Sequence, residues 1–278
     1  MDLESCEMKR IIKDLVLTAL AFLRRDNRPK IVFYHDIGKK NTPMGTPTDV
    51  FMKHLEVLGR RSSSYASYGG LKGKRKADVV CFDDGFRGVW EYREKVKSIS
   101  VKCKVKVFVA PRLVGQEGYL TWDEIRTLNR EYGIDFQCHT WSHQTLAGEM
   151  IDESPKEERT EEWYKRELVE SRLRLEEELN LGERVEGERS EVEVERLREK
   201  VVVDELCFPV GNFSDEVIER CKRAGYKKVY ASYPGNITDD YIQPRCLVQD
   251  LGVMGFKAVL NGGMNPLAKR YRAMHYKK

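Results

Sequence analysis

The 278 residues, 41% of them hydrophobic, suffice for one large α/β domain or two small ones with a sizeable core, and they exclude a disordered chain. Lys and Arg number 49 against 45 Asp and Glu, so the net charge of +4 is a small difference between interspersed populations and gives no footprint for nucleic acid. Seven cysteines, an odd number without a C-x-x-C pair, argue against a disulfide framework or a cysteine-built zinc site and favour a reducing compartment.

The first element is the apolar run IIKDLVLTALAFL (11–23). Lys13 and Asp14 interrupt it, no small-residue cleavage site follows, and it is too short to cross a bilayer. It reads as an amphipathic helix that packs on its own domain. The flanking Lys9–Arg10 and Arg24–Arg25 add peripheral membrane contact as a second expectation.

From residue 30 onward short apolar runs alternate with helical patterns, which predicts strand-helix units and a largely parallel sheet. The predicted strands are KIVFY (30–34), DVVCF (78–82), VKVFVA (105–110), IDFQC (134–138), DELCF (204–208), KKVYAS (227–232) and QPRCLV (243–248). Seven strands with helices between them suit a closed or nearly closed barrel. Thr48 can cap DVFMKHLEVLG, Thr121 can cap WDEIRTLNREYG, and Ser214 can cap DEVIERCKRAG with Gly225 as its stop. A long helix is expected to open at Ser154–Pro155, carry Tyr164, Leu168, Leu175 and Leu179 at helical spacing, and end at Gly182. Twelve of the eighteen residues 183–200 are charged, so that stretch reads as a solvated insertion. The last residues, KRYRAMHYKK, read as a solvated basic tail. The expected division is an N-terminal amphipathic helix over 1–28, a barrel over 29–252 and a C-terminal helix with basic tail over 253–278.

In a parallel β/α barrel the chemistry gathers at the carboxyl ends of the strands, where the loops share one mouth. His35 follows the first predicted strand, Asp83 and Asp84 the second, His139 the fourth, and Pro209-Val210-Gly211 the fifth. A D-D-G alone is equally well a turn. HTWSH sets His139 and His143 four apart, so both imidazoles can face one point, and two histidines with one carboxylate make a three-ligand set for a catalytic ion with room for water. Of the five histidines, His54 lies on the Phe51, Leu55, Leu58 face of its helix and reads as packed, and His275 lies in the tail. Cys81 and Cys138 read as small buried fillers.

CFDDGF (81–86), DFQCHTWSHQTL (135–146) and CFPVGNFSDEVIERCKRAGY (207–226) resemble, in order, the first three motifs of the polysaccharide deacetylases, the NodB-homology domain of carbohydrate esterase family 4. The resemblance spans residues 30–250. It implies a distorted (β/α)7 barrel that removes acetyl groups from N- or O-acetylated sugars with a divalent metal, zinc first, with cobalt, nickel or manganese as other candidates. Carried across, Asp83 is the general base, Asp84, His139 and His143 hold the metal, the N–H of Val210 helps hold the oxyanion, and Leu146 walls the acetyl-methyl pocket. Trp141 and Phe208 are candidates to stack on a sugar ring, with Pro209 and Gly211 beside them.

Two departures stand out. Cys207 occupies the place of the family's base-orienting arginine, and no Leu-x-x-His follows residue 240. The early IVFYHD (31–36) instead resembles exopolysaccharide deacetylases of permuted motif order, which makes His35 the general acid. The reading is thus a metal-dependent hydrolase of N-acetylated sugars in a cell-envelope or capsular polysaccharide or its precursor. Its site is expected in the cytoplasm, at the inner face of the membrane. The alternatives are a hydrolase of a small non-sugar amide and a sugar-binding module without turnover, the latter suggested by the missing arginine and histidine.

Overall fold

The computed structural model describes residues 3–23, 26, 28–38, 44–67, 78–100, 103–149, 158–181, 200–238 and 240–277. Its frame is seven parallel strands: β1 (Ile31–Tyr34), β2 (Val79–Phe82), β3 (Lys104–Val109), β4 (Asp135–Cys138), β5 (Glu205–Cys207), β6 (Lys228–Ala231) and β7, which runs Ile242–Pro244 and resumes as Cys246–Leu247. Each falls on a run whose apolar residues predict it. Chain neighbours are sheet neighbours, as short strand-helix-strand connections require. The first segment of β7 pairs with β6 and the second with β1, so the last strand bridges the sixth and the first and completes the distorted (β/α)7 barrel.

Strands buried on both faces must be apolar on both. Val32 and Tyr34 of β1 point into the shell between barrel and helices, while Ile31 and Phe33 point inward, where they meet Cys81, Phe108, Cys207 and Tyr230. The interior also holds charge in paired form. The Lys106 ammonium lies 2.5 Å from Asp135 and 2.6 Å from Glu205, and Tyr230 donates to Glu205 at 2.6 Å.

The longer helices are α1 (Leu3–Leu23), α2 (Thr48–Ser67), α3 (Arg93–Ser100), α4 (Trp122–Tyr132), α5 (Glu161–Lys165, a π-helical stretch Arg166–Glu170, then Ser171–Asn180), α6 (Asp215–Arg223), α7 (Val253–Leu260) and α8 (Ala268–His275). Thr121 and Glu124 form a full capping box on α4, and the Ser214 hydroxyl accepts from the Val217 N–H at 3.3 Å to cap α6. Thr48 instead stands inside the first turn of α2, where its hydroxyl meets Tyr92 at 2.9 Å.

Two expectations on boundaries change. The long helix starts at Glu161 because the Thr160 hydroxyl takes the Trp163 N–H and so caps it; residues 150–157, including Ser154 and Pro155, lie outside the described residues. The charged stretch also lies outside them, up to residue 199. The basic terminus is not a solvated tail. It forms α8 and then pairs its backbone with Phe213, which donates to the His275 carbonyl and accepts from the Lys277 N–H, while Tyr276 packs edge-on against the Phe213 ring. The aromatics Tyr271 and Tyr276, spaced among the cations, supply the apolar contact that the charge count hides.

The α1 helix packs along α7 in the same direction: Asp14 accepts from the Gly252 N–H at 3.2 Å at the start of α7, the Asp26 N–H donates to the Asn261 carbonyl at 2.8 Å past its end, and Leu17 and Ala21 are buried between. On α2, His54 is fully buried, stacked on Phe256 at 4.0 Å, with Nδ1 2.9 Å from the Tyr34 hydroxyl. Burial lowers its pKa to about 4, against 6.5 for a free imidazole. A depressed histidine gives stability that is complete above pH 6.5 and is lost as the pH falls towards 4, because the unfolded chain takes up the proton first. The expected loss over that window is about 3 kcal/mol. Urea unfolding at pH 7, 5.5 and 4.5 should show the His54→Gln protein with a flatter dependence; parallel slopes in both proteins would contradict this account.

Candidate active site

Non-glycine residues with positive φ are strained, and in structures such strain gathers at working sites. Among the described residues there are four, Asp84 (φ 68°), Thr140 (64°), His143 (64°) and Val210 (59°), and all four lie in loops that leave the carboxyl ends of β2, β4 and β5. The mouth of the barrel is therefore where this chain departs from relaxed geometry.

The paired acids follow β2. The Asp83 N–H donates to the Tyr34 carbonyl at 2.9 Å, which extends strand pairing by one residue, and the positive φ of Asp84 and Gly85 then turns the chain. Consecutive carboxylates thereby face different partners. Oδ1 of Asp84 lies 3.2 Å from Nε2 of His139 and 2.9 Å from Nε2 of His143. His139 is held by its N–H to the Val109 carbonyl and by Nδ1, which donates to the Cys207 carbonyl at 2.8 Å. A carbonyl only accepts, so the proton of the neutral ring sits on Nδ1 and the lone pair of Nε2 faces Asp84.

This donor set fits a divalent cation. Oδ1 of Asp84 is buried and makes no hydrogen bond, although two imidazole nitrogens stand within 3.2 Å of it. Two imidazole nitrogens and a carboxylate oxygen gathered at one point are the donor set that a metal ion with an open position takes. Burial would raise the Asp84 carboxyl, but the charge of His143 and the contacts of both rings outweigh it and hold the group well below the usual carboxylate range. A second group, Asp83, His139 and Cys207, also has its ligand atoms within 4.8 Å of one another. It fits worse: Asp83 is taken by an arginine, and burial pushes the Cys207 thiol well up, which keeps it neutral.

That arginine is Arg245, at the break between the two segments of β7, and the sequence reading missed it. Its Nη1 and Nη2 donate to Oδ1 and Oδ2 of Asp83 at 2.7 and 2.8 Å, a bidentate fork, and Nη2 also meets the Cys207 sulfur at 2.8 Å. The guanidinium is fully buried and lies over the Phe33 ring at 4.2 Å. Burial opposes ionisation of Asp83, but the adjacent positive charge prevails and keeps its pKa below normal. Arginine in the middle of QPRCLV was the available signal, since a charge inside a barrel strand demands a buried partner. The arginine that the third motif lacks at Cys207 is thus supplied beside Asp83 from another strand, which removes one of the two reasons for a module without turnover.

His35, past the end of β1, is half-buried. Its Nδ1 lies 2.7 Å from Oε1 of Gln249, another residue that sequence reasoning missed. A carboxamide oxygen only accepts, so Nδ1 donates and Nε2 is the ring nitrogen outside that bond.

Val210 sits in a tight turn after β5 whose hydrogen bonds are donated by Gly211 and Asn212, leaving its own N–H outside the turn's bonding. Gly211 has φ +77° and a Cβ there would meet Ser232 at 2.5 Å, so the turn tolerates no side chain at that position. Pro209 is buried in the same turn. Trp141 is half-buried between the two candidate ligand histidines. Phe208 does not face a sugar: it is 1% exposed and stacked on Phe213 at 5.9 Å, because the strand alternation turns it outward into the helical shell. Leu146 is likewise fully buried, in the shell, with its carbonyl accepting from the Tyr164 hydroxyl.

A family model described as polysaccharide deacetylase matches residues 71–229, more than half of the chain. The chain belongs to the polysaccharide deacetylase family. Solved structures agree on the fold. The Streptococcus pyogenes deacetylase PplD, solved in complex with acetate, superposes with a TM-score of 0.61 at 17% identity, covering 85% of this chain and 99% of its own. A polysaccharide deacetylase from Bacillus cereus gives 0.58 at 18%, covering 85% and 69%, and IcaB from Ammonifex degensii gives 0.58 at 17%, covering 86% and 98%. Comparison with curated proteins gave no match.

In this deacetylase Arg245→Lys keeps the charge but loses the fork. We expect kcat to fall by about 10²-fold, within the range of a misplaced general base. Metal content by elemental analysis and KM should change little; unchanged kcat would contradict the orienting role.

Proposed function

We propose that this polysaccharide deacetylase removes acetyl groups from N-acetylated sugars of a cell-envelope or capsular polysaccharide, or of its precursor, with a divalent cation held by Asp84, His139 and His143. The observation that carries the reading is the convergence of those three donors beside a carboxylate, Asp83, that is held separately by Arg245. Zinc suits two imidazoles and one carboxylate, and cobalt, nickel and manganese are accommodated by the same donors.

The chain's own residues divide the reaction between them. When bound, the cation supplies Lewis-acid activation of water and of the acetyl carbonyl. Asp83, ionised and fixed by Arg245, takes a proton from the attacking water as its oxygen bonds to the carbonyl carbon. The N–H of Val210 donates to the carbonyl oxygen as negative charge develops there. The C–N bond then breaks with its electron pair going to nitrogen, and Nε2 of His35 delivers the proton that the departing amine needs, leaving acetate and a free amino sugar. Gln249 holds the imidazole so that Nε2 is the acidic position.

The substrate is met at a membrane surface. Among the described residues no helix is long and apolar enough to cross a bilayer. The α1 helix, however, exposes Met8, Ile11, Ile12, Leu15, Val16 and Phe22, each at least 48% exposed, at the i, i+3, i+4 spacing of one continuous face. Lys9 and Lys13 border that face, a pairing of apolar stripe and cations suited to an anionic lipid surface. The six cysteines from Cys81 to Cys246 are all buried and free, which supports a reducing compartment and hence the inner face.

Two experiments test these statements. With N-acetylglucosamine oligomers, Asp83→Asn should retain its metal and lose at least about 10²-fold in deacetylation, whereas His139→Ala should lose the metal as well; an active Asp83→Asn enzyme would refute the assigned base. In flotation with phosphatidylserine-containing vesicles the protein should rise with the lipid, and Ile12→Glu with Val16→Glu should abolish this while sparing activity on soluble oligomers. Failure of the unsubstituted protein to float, or a monodisperse dimer dispersed by the same substitutions, would show that the face serves another partner.

A further inference from the structure

The loop that carries both candidate ligand histidines is clamped from outside the barrel by one buried acid. Glu167 on α5 is fully buried. Its Oε2 accepts from the N–H of Trp141 at 3.0 Å and of Ser142 at 2.9 Å, and its Oε1 accepts from the Ser142 hydroxyl at 2.9 Å. Arg166 approaches Oε1 at 3.5 Å. The next donor, the His143 N–H, is taken by the Thr140 hydroxyl at 3.1 Å. Every backbone N–H between the two histidines and at the second of them is thus consumed in fixing this turn, except that of Thr140, whose positive φ helps the following N–H groups converge. Successive amides bent in this way form an anion-binding nest, and here the anion is a side chain of the same protein.

The helix is built irregularly to deliver that carboxylate. Glu167 lies in the π-helical stretch Arg166–Glu170, an insertion of the kind that occurs mostly at functional positions. Widening the turn disturbs the regular ladder, and fixed side chains meet the carbonyls concerned: Ser171 donates to the Glu167 carbonyl at 2.6 Å and Tyr226 to the Leu168 carbonyl at 2.7 Å. Ser171 in turn lies 3.2 Å from the thiol of Cys138, the residue just before His139. The bulge, its supports and the loop therefore form one connected unit behind the histidines.

We propose that Glu167 is a positioning residue for the metal site. By gripping the Trp141–Ser142 backbone it holds His139 and His143 in ligand geometry before a cation arrives, so that binding does not have to order the loop. This rests on the assignment of those histidines as ligands. Preorganisation of this sort, when removed, typically weakens metal affinity by about 10–100-fold.

The test measures Zn(II) affinity by competition with a chromophoric chelator, and the visible absorption of the Co(II)-substituted protein, in Glu167→Ala, Glu167→Gln, Ser142→Ala and His139→Ala. Glu167→Ala should bind zinc about 10–100-fold more weakly and give an altered Co(II) spectrum. Glu167→Gln should recover most of the affinity, because its oxygen can still accept both N–H groups while its NH2 donates to the Ser142 hydroxyl. Ser142→Ala removes one bond without changing charge; it should lose several-fold, and it decides the matter if Glu167→Ala fails to fold. Wild-type affinity in Glu167→Ala, or in Ser142→Ala where the former is unfolded, together with lost binding in His139→Ala overturns the positioning role alone. Wild-type affinity in His139→Ala overturns the ligand set, and the positioning role with it.

Discussion

The mouth of the barrel is organised around a contact that no hydrogen bond explains. A buried carboxylate oxygen of Asp84 stands against the Nε2 atoms of two imidazoles, one of which has its proton committed to the opposite ring nitrogen. Such a cluster is eased when a positive charge shares it, because buried acceptors without partners cost about 1–3 kcal/mol each. Asp84 and His143 hold their places by adopting positive φ, and the surrounding chain over-determines those conformations by strand pairing on one side and the α5 contacts on the other.

The Arg245–Asp83 pair solves a related problem one layer deeper. An unpaired aspartate at that depth would protonate, and an unpaired arginine would not be buried at all. Together they satisfy one another with two parallel hydrogen bonds, and breaking such a pair from one side generally costs about 3–5 kcal/mol. Its position in the chain matters as much as its strength. Arg245 stands where β7 changes partner from β6 to β1, so closing the ring and setting the acid are the same structural event. The third-motif cysteine then has no orienting task left and lies against the guanidinium as a neutral thiol.

Much of this was legible in the sequence, and the reasons are physical. All seven strands announce themselves as apolar runs because a parallel barrel buries both faces of each. Asp83, Asp84, His35, His139 and His143 could be singled out because polar residues directly after such runs must emerge at one rim. What the sequence concealed was tertiary in origin. Glu167 is one acid among many on a charged helix, and nothing local reveals the π-helical offset that buries it. Phe208 looked available to a sugar because it ends the fifth predicted strand at the rim, but side-chain alternation turns it into the shell. The basic terminus looked solvated because its charges mask the spacing of Tyr271 and Tyr276.

The most direct test of the account is a crystal structure of the metal-loaded protein with anomalous data collected on both sides of the zinc edge. The account predicts a single peak within bonding distance of Asp84 Oδ1 and of Nε2 of His139 and His143, with Asp83 still forked on Arg245. A peak displaced to Asp83, His139 and Cys207, or none in protein that elemental analysis finds loaded, would contradict it.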